Sequence, residues 1–246
     1  MLNLSKQEQM RERYRRMKQG YRPALEVYLE LMNPLVDNET WLLDAGCGPG
    51  GLVKQHQGVA RLVVGTDKYA SHFQEPAEVA NLVESDIGVL PFLSDSLDVI
   101  TCSWVLEHLE APQQVFAEFY RVLRPGGSLL FITPNARNYT VWMRRLIPNN
   151  ISKPIVRAIY GRDEDFINPT FYRANSFQQI DGALQDAGFR CERFEHVSDP
   201  TYLAVNDLMF RLATTLERAI DRFAPDTRVH LVGHYRKPGA TGAGVG

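Results

Sequence analysis

Three aspartates and a glycine loop are the residues of this chain whose types and spacing could do chemistry together. The stretch LLDAGCGPGG, residues 42–51, fits two patterns at once. Gly46, Gly48 and Gly51 fit G-x-G-x-x-G, a turn that lays a pyrophosphate on a helix N-terminus. Asp44, Gly46, Gly48 and Gly50 fit D-x-G-x-G-x-G, in which a carboxylate precedes the turn and suits a ligand with positive groups. Glycine serves either pattern, because the turn is tight and ligand atoms must approach the backbone closely. Asp67 closes the apolar run RLVVGTDK, 19 residues beyond Gly48, and suits a ribose diol in both cases. Asp86, in ESDIGVLPF, follows 19 residues later. A dinucleotide site has no standard use for that third carboxylate.

These residues need a scaffold that brings their loops together. WLLDAG, RLVVGTDK, ANLVESD, Val99–Ser103, SLLFITPN, RCERFEHVS and RVHLVGHYRKP read as seven strands. Helical patterns alternate with them. GLVKQHQGV fits a short helix, and a helix is expected straight after the fourth strand. APQQVFAEFYRVL puts Val115, Phe116, Phe119, Val122 and Leu123 on one face and is expected to stop at Pro125-Gly126-Gly127. NSFQQIDGALQDAGF has Ser176 as N-cap and Gly188 beyond its end. The alternation implies an α/β fold: a Rossmann-like, doubly wound, mostly parallel seven-stranded sheet with helices on both faces. Residues 1–40 read as an N-terminal helical segment that packs on the core or covers a site. Residues 41–238 form the main domain, with helical insertions at about 136–173 and 200–225, and 239–246 form a flexible tail. The first insertion is aromatic and basic, with Arg144, Arg145, Lys153 and Arg157, and is open to three readings: packed subdomain, lid, or interfacial helix. In the second, Leu208, Leu212, Leu216 and Ile220 form a stripe that reads as core or dimer contact.

With 246 residues and 44% hydrophobic content, the chain can bury a sizeable core. Its net charge of −2 offers no global pull toward nucleic acid, so no nucleic-acid partner is expected. Cys47, Cys102 and Cys191 form no C-x-x-C pair and read as free thiols. No apolar signal core and no run of about 18 apolar residues is present. The expectation is a cytoplasmic monomer or homodimer.

From Trp41 to Asn135 the blocks LLDAGCGPG, GTDKY, ESDIGVLPFLSDSLDVITCSWVLEHLEAP and EFYRVLRPGGSLLFITPN resemble, in order and spacing, the class I S-adenosylmethionine-dependent methyltransferases, nearest to the quinone-biosynthesis and natural-product subgroup. That resemblance implies a cofactor, S-adenosyl-L-methionine, leaving as S-adenosyl-L-homocysteine. Asp44, Gly46 and Gly48 would surround its methionine part, with Cys47 in the same loop as a small packed side chain. Asp67, with Lys68 beside it, would hold the ribose. Asp86 and the Ile87 N–H would meet the adenine. Ser103 and Trp104 would face the methionine part or the acceptor. His108, in VLEHL, is the base candidate, against a structural role. Some relatives bind a divalent metal through an extra Glu in this motif. Trp104 stands in its place here, so no metal is expected. The implied reaction is methyl transfer to a small or medium-sized, or lipid-like, acceptor, on oxygen. Carbon methylation of an isoprenoid, quinone-like or lipid acceptor and a non-catalytic binding module are the alternatives. Transient membrane contact stays open.

Overall fold

The computed structural model describes residues 4–48, 52–73, 80–141, 169–204 and 206–239. Most of the first insertion, residues 240–246, Gly50 and Gly51 lie outside them. Seven strands form one sheet: β1 (Trp41–Ala45), β2 (Leu62–Asp67), β3 (Asn81–Glu84), β4 (Leu97–Ser103), β5 (Leu123–Pro134), β6 (Arg190–Val197) and β7 (His230–Arg236). Their order is β3-β2-β1-β4-β5-β7-β6. The pairs β1–β2, β2–β3, β1–β4 and β4–β5 are parallel. From β1 the chain winds outward to β2 and β3, then returns to the other side of β1 for β4. The winding therefore reverses between β1 and β4, where ligands of open α/β sheets bind beyond the strand carboxyl ends.

The helices are α1 (Leu4–Met17), α2 (Ala24–Met32), α3 (Pro112–Val122), α4 (Phe177–Asp186) and α5 (Asp207–Phe223). Among the described residues none is long and apolar enough to cross a membrane. Two local expectations need correction. Only a single 3-10 turn, Leu106–His108, comes straight after β4, whereas GLVKQHQGV does form its short helix, a 3-10 helix over Leu52–His56. The Pro-Gly-Gly run does not end α3 either. Strand β5 starts at Leu123, and the run forms a bulge inside it. Leu97 pairs with Leu123, whereas Val99 pairs with Ser128. Gly126 turns that bulge at φ +85°. Ser176 caps α4 by accepting from the Gln179 N–H, and Gly188 follows it at φ +102°.

The chain groups into two compact units. One holds 28–133, 170–195 and 232–246, and so contains β1–β4 and nearly all of β5 and β6. The buried faces of β1, β4 and β5 (Leu42, Leu43, Ile100, Leu129, Phe131) and Phe116 and Phe119 of α3 make its core. In α2, Ala24, Val27, Tyr28 and Met32 are buried and Leu25 is exposed.

The other unit holds 1–27, 134–169 and 196–231. Here α1, despite its charge, buries Tyr14, which joins Tyr21, Ala204 and Phe210 of α5. Arg11 pairs with Asp199, and Lys18 and Arg228 both pair with Asp221. Beneath them lies Glu217 of α5, fully buried, with Oε2 unpartnered. Burial pushes its carboxyl up to about 7, a hydrogen bond from Ser198 opposing. Between pH 4.5 and 7 the folded chain thus holds a proton that the unfolded chain has released. Stability present at acid pH is lost as pH rises through about 7. Thermal melts should show Glu217→Gln gaining about 1–3 kcal/mol on the wild type at pH 8 and little at pH 5. Equal differences at both pH values would refute a neutral Glu217.

Candidate functional site

Parallel register lines up the carboxyl ends that matter. Asp44 pairs with Gly65 and Thr101, Ala45 with Thr66, Asp67 with Glu84, and Ser103 with Ile132. Asp44, Asp67, Asp86 and Ser103, scattered over 60 residues of chain (44 to 103), therefore end on one edge of the sheet.

At its centre Asp44 is buried. Oδ1 accepts from the Thr101 hydroxyl at 3.2 Å, and Oδ2 has no partner among the described residues. Burial, with the Asp67 charge adding to it, pushes the carboxyl up to about 7. A buried carboxylate oxygen without a donor is costly, and a cationic ligand group would satisfy it.

The loop after Asp44 is held by β2 and by Asp67. The N–H groups of Gly46 and Cys47 both donate to the Thr66 carbonyl, at 2.8 and 2.9 Å. The Gly48 N–H donates to Asp67 Oδ2 at 3.0 Å. Gly46 stands at φ +79°, where a Cβ would lie 2.4 Å from Val105 Cγ2. Gly48 stands at φ +53° with open space where its Cβ would project. Gly46 is thus required by packing against the chain after β4, and Gly48 keeps a space clear. The Cys47 thiol is buried against Gly65 and pushed up to about 12 by that burial, with the Asp44 and Asp67 charges adding to it, so it packs in the loop as a neutral thiol.

Asp67 accepts more than the sequence implied. Besides Gly48, Oδ1 accepts from the Tyr69 N–H at 3.2 Å and lies 2.8 Å from His72 Nδ1. Three of about four acceptor positions on this carboxylate serve the protein, leaving one on Oδ2. Asp86 is more open: Oδ1 caps its own turn through the Gly88 N–H at 2.8 Å, and Oδ2 lies 3.4 Å from Lys68 Nζ. The half-buried Ile87 has no acceptor for its N–H among the described residues.

Beyond β4, Ser103 Oγ donates to Tyr28 Oη at 3.2 Å. Tyr28 is fully buried, and burial together with the Asp44 charge raises its hydroxyl far above the ordinary range. Trp104 holds φ +60°, sparsely populated for a bulky residue, while its side chain is 38% exposed. His108 closes the 3-10 turn, half-buried, its N–H donating to the Val105 carbonyl. Its neighbour Glu107 faces inward. Oε2 accepts from Thr133 Oγ1 at 3.0 Å, which accepts from Asn175 at 2.7 Å, and burial raises the Glu107 carboxyl. The Glu107 carbonyl takes the N–H groups of Phe171 and Tyr172. Among the described residues no three His, Cys, Asp or Glu side chains gather as a metal would need.

Sequence reasoning missed Tyr28, Val105 and the Glu107–Thr133–Asn175 chain. Tyr28 had a visible signal, a hydroxyl on the apolar face of α2. Val105 and Asn175 had none, because only packing makes them neighbours.

A family model described as a methyltransferase domain matches residues 43–131. A "Probable S-adenosylmethionine-dependent methyltransferase" of Mycolicibacterium smegmatis is 30% identical over 154 residues, 61% of this chain and about half (52%) of that one. A ubiquinone biosynthesis O-methyltransferase of Vibrio atlanticus is 26% identical over 82% of this chain and 90% of its own. Among solved structures, an S-adenosylmethionine-dependent methyltransferase from Mesorhizobium loti has TM-score 0.55 at 19% identity, covering 87% of this chain and 98% of that one. A geranyl diphosphate C-methyltransferase from Streptomyces coelicolor has TM-score 0.57 at 17% identity, covering 87% and 76%. At those identities the structures speak to the fold alone.

Proposed function

Because this chain belongs to the class I S-adenosylmethionine-dependent methyltransferases, we propose that it methylates a small or medium-sized acceptor on oxygen. The observation that carries the cofactor site is Asp44, buried in β1 with one oxygen unpartnered among the described residues, together with the space that Gly48 leaves open four residues on. Oxygen is favoured because the relative aligned along most of both chains is an O-methyltransferase.

The residues present fit S-adenosylmethionine. Asp44 Oδ2 would accept from its amino group, and the remaining position on Asp67 Oδ2 from a ribose hydroxyl. Asp86 and the Ile87 N–H would meet the adenine, with Lys68 steadying Asp86. Ser103 and Trp104 would border the methionine part and the acceptor. Bound there, the cofactor supplies a methyl carbon made electrophilic by its sulfonium. The protein's work is then to align an acceptor oxygen in line with the methyl–sulfur bond and to exclude water. His108 would take the acceptor's proton.

Calorimetry tests this directly. The wild type should bind S-adenosylmethionine and S-adenosylhomocysteine and not NAD, and Asp86→Ala should weaken the first two about 10-fold. With small hydroxylated acceptors, His108→Ala should lower kcat about 100-fold and leave cofactor affinity unchanged. Binding of NAD alone would overturn the cofactor assignment. Unaltered kcat would remove His108 from the reaction.

A further inference from the structure

Helix α5 does not use its leucine stripe as core. It buries Phe210, Ala213, Thr214 and Glu217, while Leu208, Leu212, Leu216 and Phe223 stand 67%, 56%, 39% and 78% exposed. At about 100° per residue these four fall within an arc of about 80°. Arg211, Arg218 and Arg222 are exposed along one flank of that arc, within about 40° of one another. Among the described residues none of the three is ion-paired; Arg222 lies over the Phe223 ring. The acids of the helix are engaged elsewhere: Asp207 with Arg13, Asp221 with Lys18 and Arg228, and Glu217 inside.

We propose that this face of α5 is an interfacial surface that seats the protein on an anionic lipid bilayer, the leucines and Phe223 entering the acyl boundary and the arginines meeting lipid phosphates. Charge complementarity selects this occupant. The exposed arc carries three cations, and the one acid at its border, Asp207, is paired with Arg13, so a second copy docked antiparallel by the same face would set arginine against arginine. A convex helix ridge about 25 Å long, with apolar and cationic rows side by side, matches a plane in which an acyl layer and a phosphate layer adjoin. The inference stands apart from methyl transfer, since vesicle binding requires no catalysis.

The test is cosedimentation of the full chain with phosphatidylcholine vesicles, with and without phosphatidylglycerol. Binding should need phosphatidylglycerol and weaken with salt. A triple variant Leu208→Ser, Leu212→Ser, Phe223→Ser and a second, Arg211→Gln, Arg218→Gln, Arg222→Gln, should each reduce the bound fraction about 5-fold or more. All these positions are exposed, and circular dichroism and cofactor affinity report whether the fold survives. Absence of binding to phosphatidylglycerol vesicles, or binding that neither variant changes, overturns the proposal. So does a wild-type dimer in sedimentation that Leu212→Asp converts to monomer, because the stripe would then be covered by a second copy.

Discussion

Asp44→Asn is expected to weaken S-adenosylmethionine binding about 100-fold at pH 8 and to leave the fold intact, because a buried ammonium–carboxylate contact becomes a neutral one. The pH dependence is the sharper readout. In the free protein this carboxyl titrates at about 7, raised by burial and by Asp67. A cationic ligand needs the carboxylate, so binding below pH 7 must first remove a proton. Wild-type affinity should fall up to about 10-fold per pH unit below 7, with one proton released per ligand at pH 6. The Asn variant should show neither effect. Its unliganded stability should run the other way. The neutral amide lacks the charge that burial penalises, so the stability that wild type loses as pH rises through about 7 is retained. Calorimetry in buffers of different ionisation enthalpy at pH 6 and 8 measures proton release directly. An Asn variant that binds within twofold of wild type at pH 8, or that keeps the pH slope, would remove Asp44 from the cofactor site.

Gly46→Ala should cost about 2–4 kcal/mol of stability and with it the cofactor, for two separable reasons. The left-handed φ of +79° strains any L side chain, at about 1–2 kcal/mol. The new methyl also overlaps Val105 Cγ2 at 2.4 Å, and the β-branched valine has little rotamer freedom to move aside. Val105→Ala on the same background should therefore recover the steric part and leave the conformational part. Gly48→Ala is the contrasting case. Its Cβ meets nothing within 4 Å, so stability should drop only by its φ strain, about 1 kcal/mol, while cofactor affinity drops about 10-fold or more as the methyl enters the open space. Chemical denaturation and calorimetry on the three variants separate these outcomes. Equal stability of Gly46→Ala and Gly48→Ala would show that Val105 does not lock the loop.

How much was legible in advance follows from which forces act locally. The seven strand runs, the Ser176 cap and the Gly188 stop are signals written in a few neighbouring residues, and all appear, with β5 starting early at Leu123. Boundaries set by pairing are not. The Pro-Gly-Gly run reads as a helix stop on its own, yet becomes a bulge because Leu97 and Val99 of β4 hold Leu123 and Ser128 in register around it. The helix expected after β4 shrinks to one 3-10 turn, where the carbonyl of the buried Glu107 is taken by distant N–H groups of Phe171 and Tyr172. In α5 the leucine spacing was right, but the stripe is not core: Leu208, Leu212 and Leu216 stand exposed. Periodicity shows that a helix has an apolar face, but only the tertiary structure shows which face has a partner.

The same division runs through the site. Asp44, the glycines, Asp67 and Asp86 were recognisable because their order along the chain mirrors their order along one sheet edge, and parallel pairing makes that mapping obligatory. What each carboxylate is free to do was decided only by folding. Asp67 gives most of its acceptors to Gly48, Tyr69 and His72, whereas Asp44 keeps a buried oxygen unpartnered. Residue type and spacing therefore determined which groups meet. Burial and hydrogen-bond saturation, which depend on Val105, Tyr28 and Thr101 arriving from elsewhere in the chain, determined which of them keeps a buried acceptor unpartnered.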